Sequence, residues 1–475
     1  MTESVDHRDA ERMDVVGELV TGQLSREDFI KRAGMLGFSM TAIGGMLAAA
    51  GKATAADYEL AKQFAGATVS ILIAAEGDEK GVRDKTATIK QRFGITLKTT
   101  ALPVGPLIEK ANQNLKAPTS SFDAMMVLGF TVSQMVGGGF FTPLNKYLKK
   151  VPKGYDFPGD FPAGELKYVG YFDTKNQQFG GRTLYLIPGL HGGSVVVFYR
   201  KDLFKAAGLK APNTWGNYLA AAKKLHKGDV AGNSMIAKSG DVSMFLVDWF
   251  TRFTNMGGKL MSGSPKTKNF TPRLTSPQAV AALQHMVDCV EFAPDGVLQY
   301  DFTASTDAFS AGKTAMMIIW STIAGPVYNP KTSKVASKVA VAVPPGGGKG
   351  IRGGWGMGIP KNAKNKDAAW TVITYLTSKE WERYQTLKYQ TDPTRKSTFF
   401  DKSINRKLPY LATAGRVFEK AQILDIAVVP ETFEMIGAAA EEFHAALSGS
   451  SSAREACKKA NDRWVSILKR GGHLK

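Results

Sequence analysis

At 475 residues the chain is longer than one hydrophobic core supports, because cores stop growing at about 250 to 300 residues; two or three domains follow. Apolar residues make up 44%, and the 49 glycines and 21 prolines follow no fixed period, which excludes coiled-coil, collagen-like and broadly disordered chains. The formal charge is +19, yet residues 1–56 carry six Lys/Arg against eight Asp/Glu, so the basicity belongs to the body. Its lysines stand singly or in pairs (Lys149-Lys150, Lys223-Lys224, Lys458-Lys459) without interleaved aromatics. That is the spacing of a solvated surface and not of a nucleic-acid channel.

In chain order, Ser25 to Arg32 precedes an uncharged stretch, Ala33 to Ala50, and the small-residue run Ala53-Thr54-Ala55. Four glycines interrupt this stretch, and a membrane span needs about 20 strongly apolar residues, so residues 1–56 read as a cleavable export signal. Ser25, Arg26, Phe29 and Lys31 resemble a twin-arginine signal, but Glu27 stands where the second arginine belongs, which leaves the export route open. Leu47-Ala48-Ala49-Ala50-Gly51 has no following cysteine, so the reading is of a protein that is not a lipoprotein.

Beyond it, β-rich runs alternate with amphipathic helical stretches, the pattern of α/β units with parallel strands. Thr68 to Ala74 is predicted as a buried strand, Lys80 to Phe93 as a helix, Gly94 to Lys98 as a strand, Leu107 to Leu115 as a helix and Ala124 to Leu128 as a third strand. Ser194 to Tyr199 is a β-branched strand running into a helix at Lys201 to Ala207 that Gly208 ends. Asn213 or Thr214 caps the next helix, Trp215 to Leu225. Pro/Gly clusters at 186–193, 344–354 and 391–395 are candidate crossings between two lobes. Cys289 and Cys457 are the only cysteines, which allows one bridge or two inert buried thiols and no disulfide framework or CxxC motif.

Catalytic motifs fail on context. Gly348-Lys-Gly350-Ile-Arg-Gly353 fits G-x-G-x-x-G, but a strand-like segment stopped by Pro360 follows it, where a dinucleotide site needs a helix. Gly312-Lys313-Thr314 lacks the first glycine of a phosphate-binding loop, since position 307 is Asp307. His191-Gly192-Gly193 resembles an oxyanion-hole segment, yet the chain has no G-x-S-x-G elbow. The six histidines never stand at H-x-H or H-x-x-x-H spacing, and no metal or cofactor site is expected.

Val195 to Trp215 (Tyr199-Arg-Lys-Asp-Leu-Phe204, Ala207-Gly208-Leu, Pro212-Asn-Thr-Trp215) resembles the Y-R-K-D-L-F-x-x-A-G-L-x-x-P-x-T-W block of family 1 extracellular solute-binding proteins of bacterial ABC sugar importers, the maltose-binding-protein-like family. Ala308 to Trp320, Gly353 to Pro360 and Pro393-Thr394-Arg395 are similar to further segments of that family, in its order, over 66–470. The resemblance implies an α/β fold of two lobes with a ligand cleft between them and crossing hinge segments. By analogy, lobe one is 57–190 plus 356–395 and lobe two 191–355 plus 396–475. It also implies an exported, non-enzymatic monomer of the periplasm or another extracytoplasmic space. Such a protein captures a sugar or polyol by lobe closure and delivers it to ABC permease subunits. A secreted carbohydrate-active enzyme, and a binder of a charged small solute on the same fold, are the alternatives.

A sugar offers apolar C–H faces and a belt of hydroxyls, so its site needs aromatic platforms beside polar groups. Trp320 and Trp355 end strand-like runs beside glycines and coincide with the family's cleft positions, although core packing fits each as well. Gly354 belongs to the same turn, and Trp249 and Phe433 are weaker candidate platforms. Glu76, Gly129 and Phe130 follow strands one and three, at the strand ends where open parallel sheets bind ligands. His191 and Gly192 stand at the first crossing, where a hinge turn fits as well, and Arg395 offers a forked donor to a ligand or a salt bridge between segments.

Overall fold

The computed structural model describes residues 26–39, 41–43, 63–238 and 242–475. Contacts divide them into a small unit, the residues up to Val69 with Arg83–Lys98, and a large unit, Ser70–Val82 with Thr99–Lys475. In the small unit Arg26–Met35 is helical, and Phe29 and Ala33, one turn apart on it, are fully buried. Gly94 adopts φ +64, and a Cβ there would sit 2.8 Å from the Ala65 Cα; only glycine lets these backbones meet. Most of the stretch read as an export signal, including Ala53-Thr54-Ala55, lies outside the described residues. Among those described, no helix is long and apolar enough to cross a membrane.

The five-stranded sheet takes strands β1 (Thr68–Ala74), β2 (Thr96–Leu102), β3 (Ala124–Leu128), β6 (Leu186–Gly193) and β12 (Gly353–Gly358), in the order β2-β1-β3-β12-β6. β1 and β3 are parallel, with Ile71 opposite Ala124. Ile71 to Ala74 and Ala124 to Met126 are fully buried, which explains their continuous apolar sequence: helices cover both faces of a parallel pair. The helices Asp78–Phe93 and Val104–Lys116 make the two crossovers; the first starts two residues earlier than its periodicity announces. β4 (Tyr171–Asp173) and β5 (Gln178–Leu184) form a hairpin between β3 and β6.

The second sheet departs from the parallel expectation. β7 (Val195–Arg200) is its centre, flanked antiparallel by β10 (Met316–Trp320) and β11 (Val339–Ala342). A short hairpin, β8 (Met261–Ser262) with β9 (Thr271–Pro272), lies between in the chain. Both faces of β7 are covered: Val195 and Val197 pack with the helices Trp215–Leu225, Val242–Asn255, Pro277–Val290, Thr432–Leu447 and Ala453–Arg470, whereas Val196 and Phe198 pack with residues 399–418. The two-residue alternation of a strand makes this division. Thr214 is the cap of Trp215–Leu225, its hydroxyl accepting the Asn217 N–H at 3.1 Å. Cys289 and Cys457 are buried free thiols, which decides the open alternative against a bridge. Gly346 and Gly348 turn through positive φ into β12, so no helix follows the G-x-G-x-x-G run.

The sheets are joined at residues 193–195 and 351–353. Arg352 ties both sides there: its guanidinium donates to Glu165 Oε2 at 2.9 Å and to the Phe418 carbonyl at 2.7 Å, and it lies 5.1 Å over the Phe418 ring. Glu165 is fully buried; burial raises its pKa to about 7 although Arg352 pulls it down. Breaking a buried pair from one side strands a charge, which costs about 3 to 5 kcal/mol, whereas replacing both partners by apolar groups costs far less. Arg352→Leu is therefore expected to lower the unfolding free energy by about that amount and Arg352→Leu/Glu165→Leu to recover most of it, as urea denaturation will show.

Candidate functional site

Where β6 leaves the first sheet, its register against β12 slips: Gly354 faces Gly192 but Gly356 faces Pro188. The extra residues of β6 include Leu190, whose φ of +68 a branched side chain rarely adopts. This bulge carries His191. Its Nδ1 lies 2.6 Å from Asp78 Oδ2, its Nε2 3.6 Å from Glu76 Oε2, and its ring meets Trp355 edge-on at 6.4 Å between centroids. Asp78 opens the helix Asp78–Phe93, is fully buried, and accepts from Gln385 Nε2 at 3.2 Å. Gln385 fits because Gly81 has no Cβ; one would overlap its amide.

Burial alone would lower the His191 pKa, but the charge and hydrogen bond of Asp78, helped by Glu76 and Asp392, outweigh it and raise it to about 9. The imidazole is cationic at neutral pH. Asp392 is the third carboxylate: burial raises it to about 6, while the Ser321 hydroxyl and the His191 charge pull it down. Its backbone carbonyl accepts the Gly192 N–H at 2.9 Å. Ser321 Oγ bonds both Asp392 Oδ2 and, at 2.9 Å, the Ser194 carbonyl. Segments 191–194, 320–321 and 392–393 are thereby fastened together.

Glycine permits that fastening. A Cβ on Gly192 would come within 2.5 Å of the Pro393 carbonyl, and one on Gly353 within 2.6 Å of the Trp320 ring, which also lies over Gly193. Trp320 ends β10 and spans the two crossing strands, 8% exposed; Trp355 is 2% exposed. Gly129 stands beside Gly354, whose carbonyl is 3.5 Å from where its Cβ would be. Phe130 follows and packs into the core cluster that holds Val195 and Val197, and residues 129–135 lie against 425–428. The Glu76 side chain stays about one third exposed.

Eight of the residues expected from sequence stand around this crossing: Glu76, Gly129, Phe130, His191, Gly192, Trp320, Gly354 and Trp355. Three do not. Trp249 is core: fully buried, stacked on Phe253 at 4.8 Å, 4.9 Å from Phe443, its Nε1 donating to the Ala279 carbonyl. Arg395 is fully buried and engaged, donating to the Thr377 carbonyl at 2.9 Å, the Tyr155 carbonyl at 2.8 Å and Asp160 Oδ2 at 3.1 Å, with its guanidinium over Phe161. It holds segment 393–397 to the first lobe. Phe433, on the helix Thr432–Leu447, packs half-buried against the second lobe's core. Sequence reasoning missed Asp78, Ser321, Arg352, Glu165 and Asp392; the adjacency of Asp392 to the Pro393-Thr394-Arg395 run was the one available signal. Among the described residues no cluster of His, Cys, Asp and Glu could hold a metal.

A profile of the bacterial extracellular solute-binding proteins matches residues 72–383. The chain belongs to that family. Among curated solute-binding relatives it is similar to a probable amino-acid ABC transporter periplasmic-binding protein of Sinorhizobium fredii, 27% identical over 66% of this chain and 70% of that one. A mannitol-binding protein of Pseudomonas aeruginosa is 26% identical over 62% of this chain and 71% of its own length. Of solved solute-binding proteins, the ABC transporter solute-binding protein of Agrobacterium radiobacter K84 in complex with ribitol superposes with a TM-score of 0.71 at 24% identity, over 84% of this chain and 98% of that one. The two-lobed solute-binding architecture is thus this chain's fold.

The His191 pKa of about 9 lies above the ordinary 6.5, so its stabilisation is complete below about pH 6.5 and is lost as pH rises through 9. Asp392 and Glu165, also raised, act in the same direction between about pH 4 and 7. The unfolding temperature is expected to fall from pH 5 to pH 9.5, and His191→Gln to abolish the part of the fall above pH 6.5; scanning fluorimetry across that range measures both.

Proposed function

We propose that the protein is the extracytoplasmic solute-binding component of an ABC importer, capturing a sugar or polyol between lobes of about 57–190 plus 356–395 and 191–355 plus 396–475. The observation that carries this is the crossing itself: Glu76, His191, Trp320 and Trp355, two polar groups and two aromatic rings, meet where both sheets end. Trp rings match the C–H face of a polyol, and a carboxylate beside an imidazolium accepts and donates to its hydroxyls. Mannitol and ribitol, named with two relatives, belong to that class. Ligand binds the closed form better than the open one, and that difference alone shifts the population. The protein reaches its place through the N-terminal export signal, without a lipid anchor, and performs no chemistry on what it carries.

The second reading is an ammonium-bearing solute such as an amino acid. Glu76, Asp78 and Asp392 outnumber the one imidazolium, and one relative is described as an amino-acid binder. Both readings disfavour anions.

Titration calorimetry with ribitol, D-mannitol, a disaccharide, neutral and basic amino acids and sn-glycerol 3-phosphate separates these outcomes. Saturable heat is expected from a polyol or sugar, none from the phosphate ester, and no product after prolonged incubation. Failure of every polyol and sugar with binding of an amino acid moves the reading to the second. Glu76→Gln is expected to weaken the bound polyol roughly tenfold or more, as loss of a charged hydrogen-bond acceptor does.

A further inference from the structure

The second lobe carries a basic pole remote from the crossing. Residues 201–230 hold six lysines against Asp202 and Asp229, and 307–349 hold five lysines against Asp307. The fold gathers these segments at one end of the second sheet. Lys201 follows the last residue of β7, Lys338 precedes β11, whose Val339 faces Arg200, and Lys313 lies just before β10. The Lys313 carbonyl accepts the Ala231 N–H at 2.9 Å, which brings the turn after Lys227 alongside. At the other end of β7, Val195 faces Trp320; the length of the strand, roughly 17 Å, separates pole from site.

Lys201, Lys223, Lys224, Lys227, Lys313 and Lys338 are all exposed, and among the described residues none forms a salt bridge. Other surface lysines divide: Lys379 with Asp156 at 3.0 Å, Lys458 with Asp462 at 2.7 Å and Lys459 with Glu455 at 2.9 Å have carboxylate partners, whereas Lys116, Lys149 and Lys153 have none among the described residues, so it is the gathering of the lysines at one end, and not their being unpaired, that marks the pole. Arg200, the arginine of this pole, is forked onto Asp202. Lysines are mobile point charges without the planar fork that fixes one phosphate or carboxylate. Spread over a pole without stacking aromatics, they match a diffuse anionic plane better than a nucleic acid or a shaped acidic peptide.

We propose that this pole docks the protein on an anionic phospholipid bilayer surface, leaving the crossing free to take up ligand. Location beside a bilayer rests on the export reading; the docking assay needs no ligand and fails separately from the polyol titration. Co-sedimentation of the full chain with phosphatidylcholine vesicles, with and without 30% phosphatidylglycerol, tests it at about 50 and 500 mM salt. Binding is expected only with phosphatidylglycerol and to be lost at high salt. Lys223→Glu/Lys224→Glu is expected to weaken it roughly tenfold or more, and Lys458→Glu/Lys459→Glu, the same charge change on the helix Ala453–Arg470, far less. Both variants retain the N-terminal segment, and circular dichroism confirms their fold. Equal loss in both variants, insensitivity to phosphatidylglycerol or salt, or preference for an acidic polypeptide over the vesicles overturns the proposal.

Discussion

The structure depends on one buried contact, His191 with Asp78, because the strand that leaves the first lobe is positioned by it. A buried charge pair rarely stabilises a fold, since desolvation takes back most of what the attraction gives. Here the raised His191 pKa leaves a net stabilisation below about pH 9, and the pair's further effect is geometric. The pair fixes the ring on a bulge whose backbone is strained at Leu190, and Gln385 fixes Asp78 in turn. From there the chain runs through Gly192 and Gly193, the two positions where Pro393 and the Trp320 ring come too close for a side chain. Crossing and candidate site are therefore the same few residues. A solute touching Glu76 touches the partner of a group that holds the crossing, so in the proposed reading capture and closure are one event rather than two coupled ones.

Much of the fold is written locally. The apolar run of β1, the β-branched run of β7 and the Thr214 cap each act within a few residues, so pattern alone places them. Antiparallel pairing around β7 is not local: a strand buried on both faces reads the same in either sheet type, and only its partners, Met316–Trp320 and Val339–Ala342, far along the chain, decide it. The site divides the same way. Glu76, Gly129 and Phe130 follow strand ends, a rule of topology; Gly354 and Trp355 sit in a glycine-rich run, and Trp320 ends an apolar strand. Asp78, Ser321 and the pair Gln385 and Asp392 come from three distant segments, and an acidic residue in the first turn of a helix looks like ordinary dipole compensation. Arg395 and Trp249 mislead for the complementary reason. A guanidinium and an indole serve a ligand or a core equally well, and their place away from the crossing, which sequence does not carry, makes the difference.

Charge is distributed as unevenly as the hydrophobic residues. Carboxylates gather at the crossing, where Glu76, Asp78 and Asp392 surround one imidazolium, while unpaired lysines gather at the far end of β7. Screening over about 10 Å at ordinary ionic strength is shorter than the strand, so the two fields act on different partners. A single net charge would describe neither end.

The chemistry at the crossing also bears on capture versus conversion. General-base catalysis needs a lone pair near neutral pH. Both His191 nitrogens face carboxylates, and the ring stays cationic until about pH 9, so over the ordinary range it donates and does not accept. Asp392 is enclosed, with Ser321 on one oxygen, and Glu165 is spent on Arg352. Glu76 alone keeps an open carboxylate. A retaining or inverting glycosidase needs two carboxyl groups disposed about the scissile bond, one to protonate the leaving oxygen. In the proposed reading, a crossing with one accessible carboxylate and a fixed donor has what recognition of hydroxyls requires.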